Sequence, residues 1–367
     1  MNITLIFFCV VLAIITYISI SKFINVANKF GLIDIPNHRS SHQELIPRGA
    51  GIVFGFIFLL GLFVYEFQNF SEMKLTFLSI LIIYIGGFLD DRYTLNSSKK
   101  LVFIITASVI AYFAGFQLDY IGTFFAYDFN LGYLSIFGTI FVIVALTNSI
   151  NLSDGLDGLA GSLSIIILTS LFIIGYIYDD HILIVWPALL ISILVAFLLL
   201  NWHPAKVFMG DSGSLLLGFV ISILSIHAIE YINPISILFL AAVPVLDTLI
   251  VFRRRIQRGK SPFTADRNHL HHILNNIKQD KAYTVKMLLL MQLAFAVMFL
   301  QIYEQDEMLN LVTFILLFLI FFNLFDPRAR KRGKDARLKK KYLKEKKKKK
   351  DLKEKIEILE KDKNIKI

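Results

Sequence analysis

The 367-residue chain is 56% hydrophobic and only 18% charged, against about a quarter charged in soluble domains, so the bilayer rather than water is its expected solvent. A single cysteine, Cys9, excludes an intramolecular disulfide and a thiolate metal cluster. The net charge of +10 does not point to nucleic acid, because residues 328–367 hold 20 Lys/Arg against 7 Asp/Glu and the remainder is slightly acidic.

Apolar runs near 20 residues mark helices that cross a bilayer. In chain order the predicted spans are 3–23, 49–66, 75–89, 101–116, 131–150, 159–176, 182–200, 214–229, 235–252, 285–303 and 308–325. The first lacks a basic n-region and a small-residue cleavage site, so it reads as a retained span. The third and fourth are short, which allows a tilted or re-entrant course. No internal repeat is evident. The fold class is therefore all-α and polytopic, with about eleven transmembrane helices.

Connections between spans differ in charge. The odd-numbered ones carry Lys22, Lys29, Arg39 and Arg48, then Arg92, Lys99 and Lys100, then Lys206, then a run from Arg253 to Lys281. Lys74 is the one basic residue of the even-numbered ones, which show Asp179, Asp180, Glu304, Asp306 and Glu307. The positive-inside rule makes the odd connections cytoplasmic. The N-terminus then lies outside and the C-terminus inside. Composition divides the chain into a membrane catalytic region, 1–326, and a Lys-rich cytoplasmic tail, 327–367, suited to anionic lipid.

The unusual polar residues fall on that cytoplasmic side. The third span ends in GGFLDDRYTLNSSKKL, where the adjacent carboxylates Asp90 and Asp91 suit a general base or a metal ligand; a solvated loop start balanced by Lys100 is the plainer alternative. In NSINLSDGLDGLAG, Asn148, Asn151, Asp154 and Asp157 recur every three residues among glycines, which suits a ligand or a close helix. In NWHPAKVFMGDSGS, a small-residue turn opens a helix that Ser212 or Ser214 can cap. Asp211 there reads as a ligand of Mg²⁺, or more simply as the cap. Asp247 lies in the apolar ninth span and requires a partner, for which an arginine one or two turns later is expected. The following DRNHLHHIL holds Arg267, His269, His271 and His272. Zinc lacks other soft ligands there, so phosphate contact is favoured. Together these describe Mg²⁺-assisted phosphoryl transfer between a soluble and a lipid substrate.

These segments, with GLIDIPNHRSSH and IPRGAG in the first connection, resemble the polyprenyl-phosphate N-acetylhexosamine-1-phosphate transferases, over about residues 30–325. The resemblance implies attack of a polyprenyl (undecaprenyl) phosphate oxygen on the β-phosphorus of a UDP-N-acetylhexosamine, with UMP leaving, in a bacterial cytoplasmic membrane. Such a step begins lipid-linked envelope glycans such as O-antigen or teichoic acid. Carried over by motif, Asp211 would hold Mg²⁺ (or Mn²⁺). Asp90 and Asp91 would lie beside metal and lipid phosphate, either one able to act as base. Asp154 and Asp157, with Asn148 and Asn151, would face the nucleotide, Asn201 and Phe208 the uracil. Lys100 joins the substrate-binding set. Arg267, His269, His271 and His272 would meet the diphosphate or sugar, His271 as a catalytic member. The histidine box resembles the WecA/TagO-like branch, which uses UDP-N-acetylglucosamine; another UDP-N-acetylhexosamine or UDP-MurNAc-pentapeptide is the alternative donor. A homodimer is compatible with this reading. A transporter is the alternative of another class, but it would place ionisable residues near the midplane instead of at helix ends. A CDP-alcohol phosphatidyltransferase would need an arginine shortly after the DG. A scaffold acting through its basic tail would leave the motifs without a role.

Overall fold

The structure, a computed structural model, describes residues 3–34, 45–257, 259 and 269–325. Among these the regular structure is helical apart from two small two-stranded antiparallel sheets. Arg267, the segment after Asp34 in GLIDIPNHRSSH, and the Lys-rich tail lie outside the described residues. The chain divides into two compact units, Met1–Ile315 and Leu316–Ile367, and the site belongs wholly to the first.

The helices are α1 (Ile3–Val26), α2 (Ala50–Tyr65), α3 (Lys74–Tyr93), α4 (Ser97–Phe113), α5 (Ser135–Leu152), α6 (Leu159–Tyr178), α7 (His181–Asn201), α8 (Asp211–His227), α9 (Ile237–Leu240), α10 (Ala242–Gln257), α11 (Leu270–Lys278), α12 (Lys281–Ile302) and α13 (Glu307–Phe325). Every predicted span is thus helical. Among the described residues seven helical segments are long and apolar enough to cross a membrane, and an eighth arises if the pair 234–240 and 242–257 is one broken span; α2 is shorter. The protein is a polytopic membrane protein.

Three predicted elements differ from the observed ones. α3 runs through Asp90 and Asp91, so both carboxylates sit on helical backbone. The ninth span is broken by a 90° bend at Ala241. β1 (Ile33–Asp34) pairs antiparallel with β2 (Ile46–Pro47), and a short hairpin joins β3 (Tyr120–Phe124) to β4 (Tyr127–Asn130); the long apolar spans hide these brief strands.

α8 is the buried axis. Its residues Ser212–Ile226 are buried on all sides, as expected of a helix apolar around its whole circumference. Its serines do not spoil this, because Ser222 and Ser225 return their hydroxyls to the helix carbonyls of Gly218 and Ile221. α2, α3, α5 and α6 pack around it. Gly218 allows α5 to approach closely: a Cβ there would lie 2.8 Å from Thr147 Cα.

Polar residues separate to the two ends. One end holds the close of α3, α5 and α7 and the start of α4, α6 and α8. At the other, Asp180 caps α7 through Leu183 N–H at 2.7 Å and accepts from His227 and Tyr231, each at 3.0 Å.

Candidate active site

The first N–H groups of a helix need acceptors that the helix cannot supply. At α8 the N-cap is Gly210, with φ +77°, and no side chain of the turn caps it. The expected Ser212 or Ser214 cap is therefore corrected: the acceptor comes from α3. Asp91 Oδ1 takes Asp211 N–H at 2.9 Å, and Oδ2 takes Ser212 N–H at 3.0 Å and its hydroxyl at 2.5 Å. The approach is very close. A Cβ at Gly210 would meet Asp91 Oδ1 and Oδ2 at 2.6 Å, one at Gly87 would meet Ser212 Cα at 2.5 Å, and one at Gly51 would meet Gly213 N at 2.0 Å. Gly87 of GGFLDD and Gly51 of IPRGAG thus serve this joint. Arg48 donates from Nη2 to the Asp91 carbonyl at 2.9 Å.

Beside the joint lies a charge cluster. Asp90 is buried and accepts Leu95 N–H at 2.6 Å. Lys100 Nζ pairs with Asp90 Oδ2 and, at 3.1 Å, with Asp211 Oδ1. Asn151 Nδ2 donates to Asp211 Oδ1 and to Ser214 Oγ, both at 2.7 Å. Asp211 and Lys100 keep 28% and 26% of their side-chain surface exposed, so the cluster is reachable. α3, α4, α5 and α8 each contribute one member.

The DGLDG connection forms the next wall. Asp157 is buried, accepting from His203 Nδ1 at 2.7 Å and Ala205 N–H at 3.4 Å. Asn201 stitches two connections together: its Oδ1 takes Gly158 N–H at 2.9 Å and its Nδ2 donates to the Val207 carbonyl at 2.8 Å. Asn148 returns its amide to Val144 O at 2.8 Å, within α5. Asp154 differs from all of these. It is exposed to solvent. Crowding by protein near its carboxyl, with the negative charge of Asp211, Asp91 and Asp157, pushes that group up to about 7. Phe208 is half-buried, and its backbone joins the strand region: Phe208 N–H donates to Pro47 O at 2.8 Å, and Ala50 N–H donates to Phe208 O at 3.1 Å.

The histidine box closes the arrangement. Asp247 caps α11, taking His269 Nδ1 at 2.9 Å and Leu270 N–H at 2.7 Å. Among the described residues these are its partners, where an arginine was expected. His269 and His271 stack with centroids 5.7 Å apart. His271 is buried against the DGLDG connection; a Cβ on Gly155 would lie 2.2 Å from its Nε2. Burial, countered by the Asp247 charge and reinforced by His272 and His269, takes its imidazole down to about 3. The ring is therefore neutral at working pH and offers hydrogen bonds, not charge. His272 packs on it with centroids 4.3 Å apart.

The structure thus brings Asp90, Asp91, Lys100, Asn151, Asp154 and Asp211 together, and sets Asp157 and Asn201 behind them as struts. Arg48, His203 and Ser212 also belong to this framework. A run such as IPRGAG signals a turn, but not that its arginine reaches a carbonyl on α3. Among the described residues no three His, Cys, Asp or Glu side chains gather as a ready-made metal cage. The oxygen donors nevertheless fit a hard divalent cation, since two carboxylates already share one ammonium and Mg²⁺ requires only one or two, with phosphate and water completing its shell.

Comparison with known proteins adds to the geometry. The chain is 30% identical over 319 residues, 85% of its length and 88% of the relative's, to the "probable undecaprenyl-phosphate N-acetylglucosaminyl 1-phosphate transferase" of Bacillus subtilis (strain 168). It is 33% identical to the "undecaprenyl-phosphate alpha-N-acetylglucosaminyl 1-phosphate transferase" of Escherichia coli O157:H7 over 263 residues, 68% of this chain and 70% of that one. The like-named Yersinia pestis protein is 33% identical over 260 residues, 68% and 71% of the two chains. The model of glycosyl transferase family 4 matches residues 73–229. The chain belongs to glycosyl transferase family 4. The matched stretch spans the whole Asp90–Lys100–Asn151–Asp211 cluster and the DGLDG connection, while the histidine box lies beyond it.

Proposed function

We propose that this family 4 enzyme transfers N-acetylglucosamine-1-phosphate from UDP-N-acetylglucosamine to undecaprenyl phosphate and releases UMP. The observation that carries the reading is Asp211, partly open at the start of α8 and joined there by Asp90, Lys100 and Asn151. The names of the relatives supply acceptor and sugar.

A phosphate oxygen of the lipid attacks the β-phosphorus, a new P–O bond forms, and the bond from that phosphorus to the bridging oxygen of UMP breaks. Asp211, with Asp90, would hold Mg²⁺, which neutralises the diphosphate and stabilises charge on the transferring group. Asp90 faces the cluster and is the stronger candidate to accept or position the lipid phosphate proton. Asp91 has both oxygens engaged on α8 and acts by holding Asp211 in place. Lys100 is suited to a phosphate oxygen once its carboxylates are shared. Asp154 and Phe208 are read as nucleotide contacts, and the histidine box as a set of neutral donors to diphosphate or sugar.

The same reading puts eleven spans in a bacterial inner membrane, with the N-terminus outside and the site at the cytoplasmic face. It gives catalysis to residues 1–326 and leaves 327–367 as a basic appendage for anionic lipid. The test is UMP release by purified protein in detergent, with undecaprenyl phosphate, Mg²⁺ and a panel of UDP-N-acetylhexosamines. Release that depends on both lipid and Mg²⁺ and is fastest with UDP-N-acetylglucosamine is expected. Folded protein that releases no UMP with any donor would overturn the proposal.

A further inference from the structure

Gln292 lies in the middle of α12 and is fully buried. An uncharged amide buried in a membrane helix is costly unless both its ends are engaged. Both are. Gln292 Nε2 donates to Leu240 O at 2.7 Å, and Gln292 Oε1 accepts Val243 N–H at 3.1 Å.

Those two backbone groups flank the 90° bend between α9 and α10. In an unbroken helix Leu240 O would accept from the residue four positions on, which is Pro244 and has no N–H. Val243 N–H lies in the first turn of α10, where a helix offers no acceptor. Pro244 therefore leaves one acceptor, and the new start of α10 one donor, without a helical partner, and a primary amide is a side chain that satisfies both. In a bilayer such gaps must be closed by a neighbouring helix.

The bend aims α10, and α10 carries Asp247. That carboxylate fixes His269 and the first N–H of α11, and α11 in turn presses His271 onto Gly155, next to Asp154. We propose that Gln292 is a positioning residue for the reaction: by bridging the break it sets the direction of α10, and through Asp247 it sets the seat of the histidine box on the donor-binding connection. This rests on the donor-binding role proposed for that box.

The test uses full-length protein with Cys9→Ser and spin labels at Ile256 on α10 and Val297 on α12. Gln292→Met keeps the length and removes both hydrogen bonds. The label distance is expected to shift by several ångströms, and an unchanged distance overturns the inference whatever the kinetics. In parallel, KM for the UDP-sugar should rise about tenfold, as in His271→Ala, with the half-saturating Mg²⁺ concentration unchanged; a wild-type KM beside a shifted distance overturns the link to the site. Gln292→Glu, protonated in this apolar setting, should restore both readouts. If Gln292→Met alone does not fold, Pro244→Ala with Gln292→Met supplies the missing N–H within the helix. That pair is expected to fold with a straightened α10 and a raised KM, and wild-type distance and KM in it would refute the role. Should His271→Ala have wild-type kinetics, the role of the box is wrong, while the label distance still judges the bend.

Discussion

Asp91 Oδ2 accepts both the backbone N–H and the hydroxyl of Ser212, at 3.0 and 2.5 Å, across the joint between α3 and α8. Its neighbour Asp90 turns instead to Lys100 and the open side of Asp211. Adjacent identical residues therefore have different work, and their variants should differ in kind. Hydrogen bonds to a charged group contribute about 1.5–3 kcal/mol each, so Asp91→Asn should lower the melting temperature by several degrees and reduce activity with it. Asp90→Asn should leave the melting temperature near wild type and cut kcat about 100-fold or more, as expected for a group that handles a proton. Thermal unfolding and turnover measured on the same preparations decide this. Equal melting temperatures with equal losses of kcat would argue against the division.

Lys100 supplies the positive charge between Asp90 and Asp211. A divalent cation bound there competes with it for the same oxygens. Lys100→Met removes the competitor and leaves two neighbouring carboxylates that repel each other. The apparent affinity for Mg²⁺ should rise severalfold, while kcat falls at least about tenfold because a phosphate ligand is lost. Mg²⁺ titrations of UMP release test both at once. Weaker Mg²⁺ dependence in the variant would place Lys100 outside the cation's reach.

Asp154 carries a pH prediction. Its carboxyl is pushed up to about 7, so it is neutral below that pH and anionic above it. A folded pKa above the unfolded one means that the contribution to stability is present at low pH and is lost as pH rises from about 4 through 7. For the donor, the ionised form adds one more negative charge to the ring of Asp211, Asp91 and Asp157, and repels the diphosphate. At fixed Mg²⁺, KM for the UDP-sugar should rise severalfold between about pH 6 and about pH 8 in the wild type. In Asp154→Asn, neutral throughout, that limb should vanish. A wild-type slope retained in the variant would assign the titration to another group.

Much of this site was legible because membrane sequences tolerate few polar residues, so those at span ends stand out. Asp90, Asp91, Asn151, Asp154 and Asp211 were all visible in this way, and they do meet. What the sequence conceals is which oxygen faces which donor. Asp91 looked like a ligand because its partners, two N–H groups and a hydroxyl on α8, lie about 120 residues away. Asn201, placed at the uracil by resemblance, also ties two connections together through the Gly158 N–H and the Val207 carbonyl, a role that no local pattern reveals. The 90° bend in the ninth span escaped notice because its partner, Gln292, lies in a helix whose apolar pattern hides one amide. The β3–β4 hairpin escaped notice because Tyr120–Asn130 is short and sits between two long apolar runs.

Phe208 offers a test of nucleotide contact that spares its backbone bonds. Phe208 N–H and carbonyl tie Pro47 to Ala50 and so brace the start of α2, and truncating the side chain leaves these bonds in place. The ring itself is half-buried. If it stacks on uracil, Phe208→Ala loses about 1–3 kcal/mol of base stacking, which is roughly a 5- to 150-fold rise in KM for the UDP-sugar. Turnover at saturating donor should stay within about twofold, since the base is remote from the reacting phosphorus and is held equally in ground and transition states. The KM for undecaprenyl phosphate should not move. A fall in kcat at unchanged KM would instead make the ring a support for α2 and the Asp91 joint, with uracil bound elsewhere.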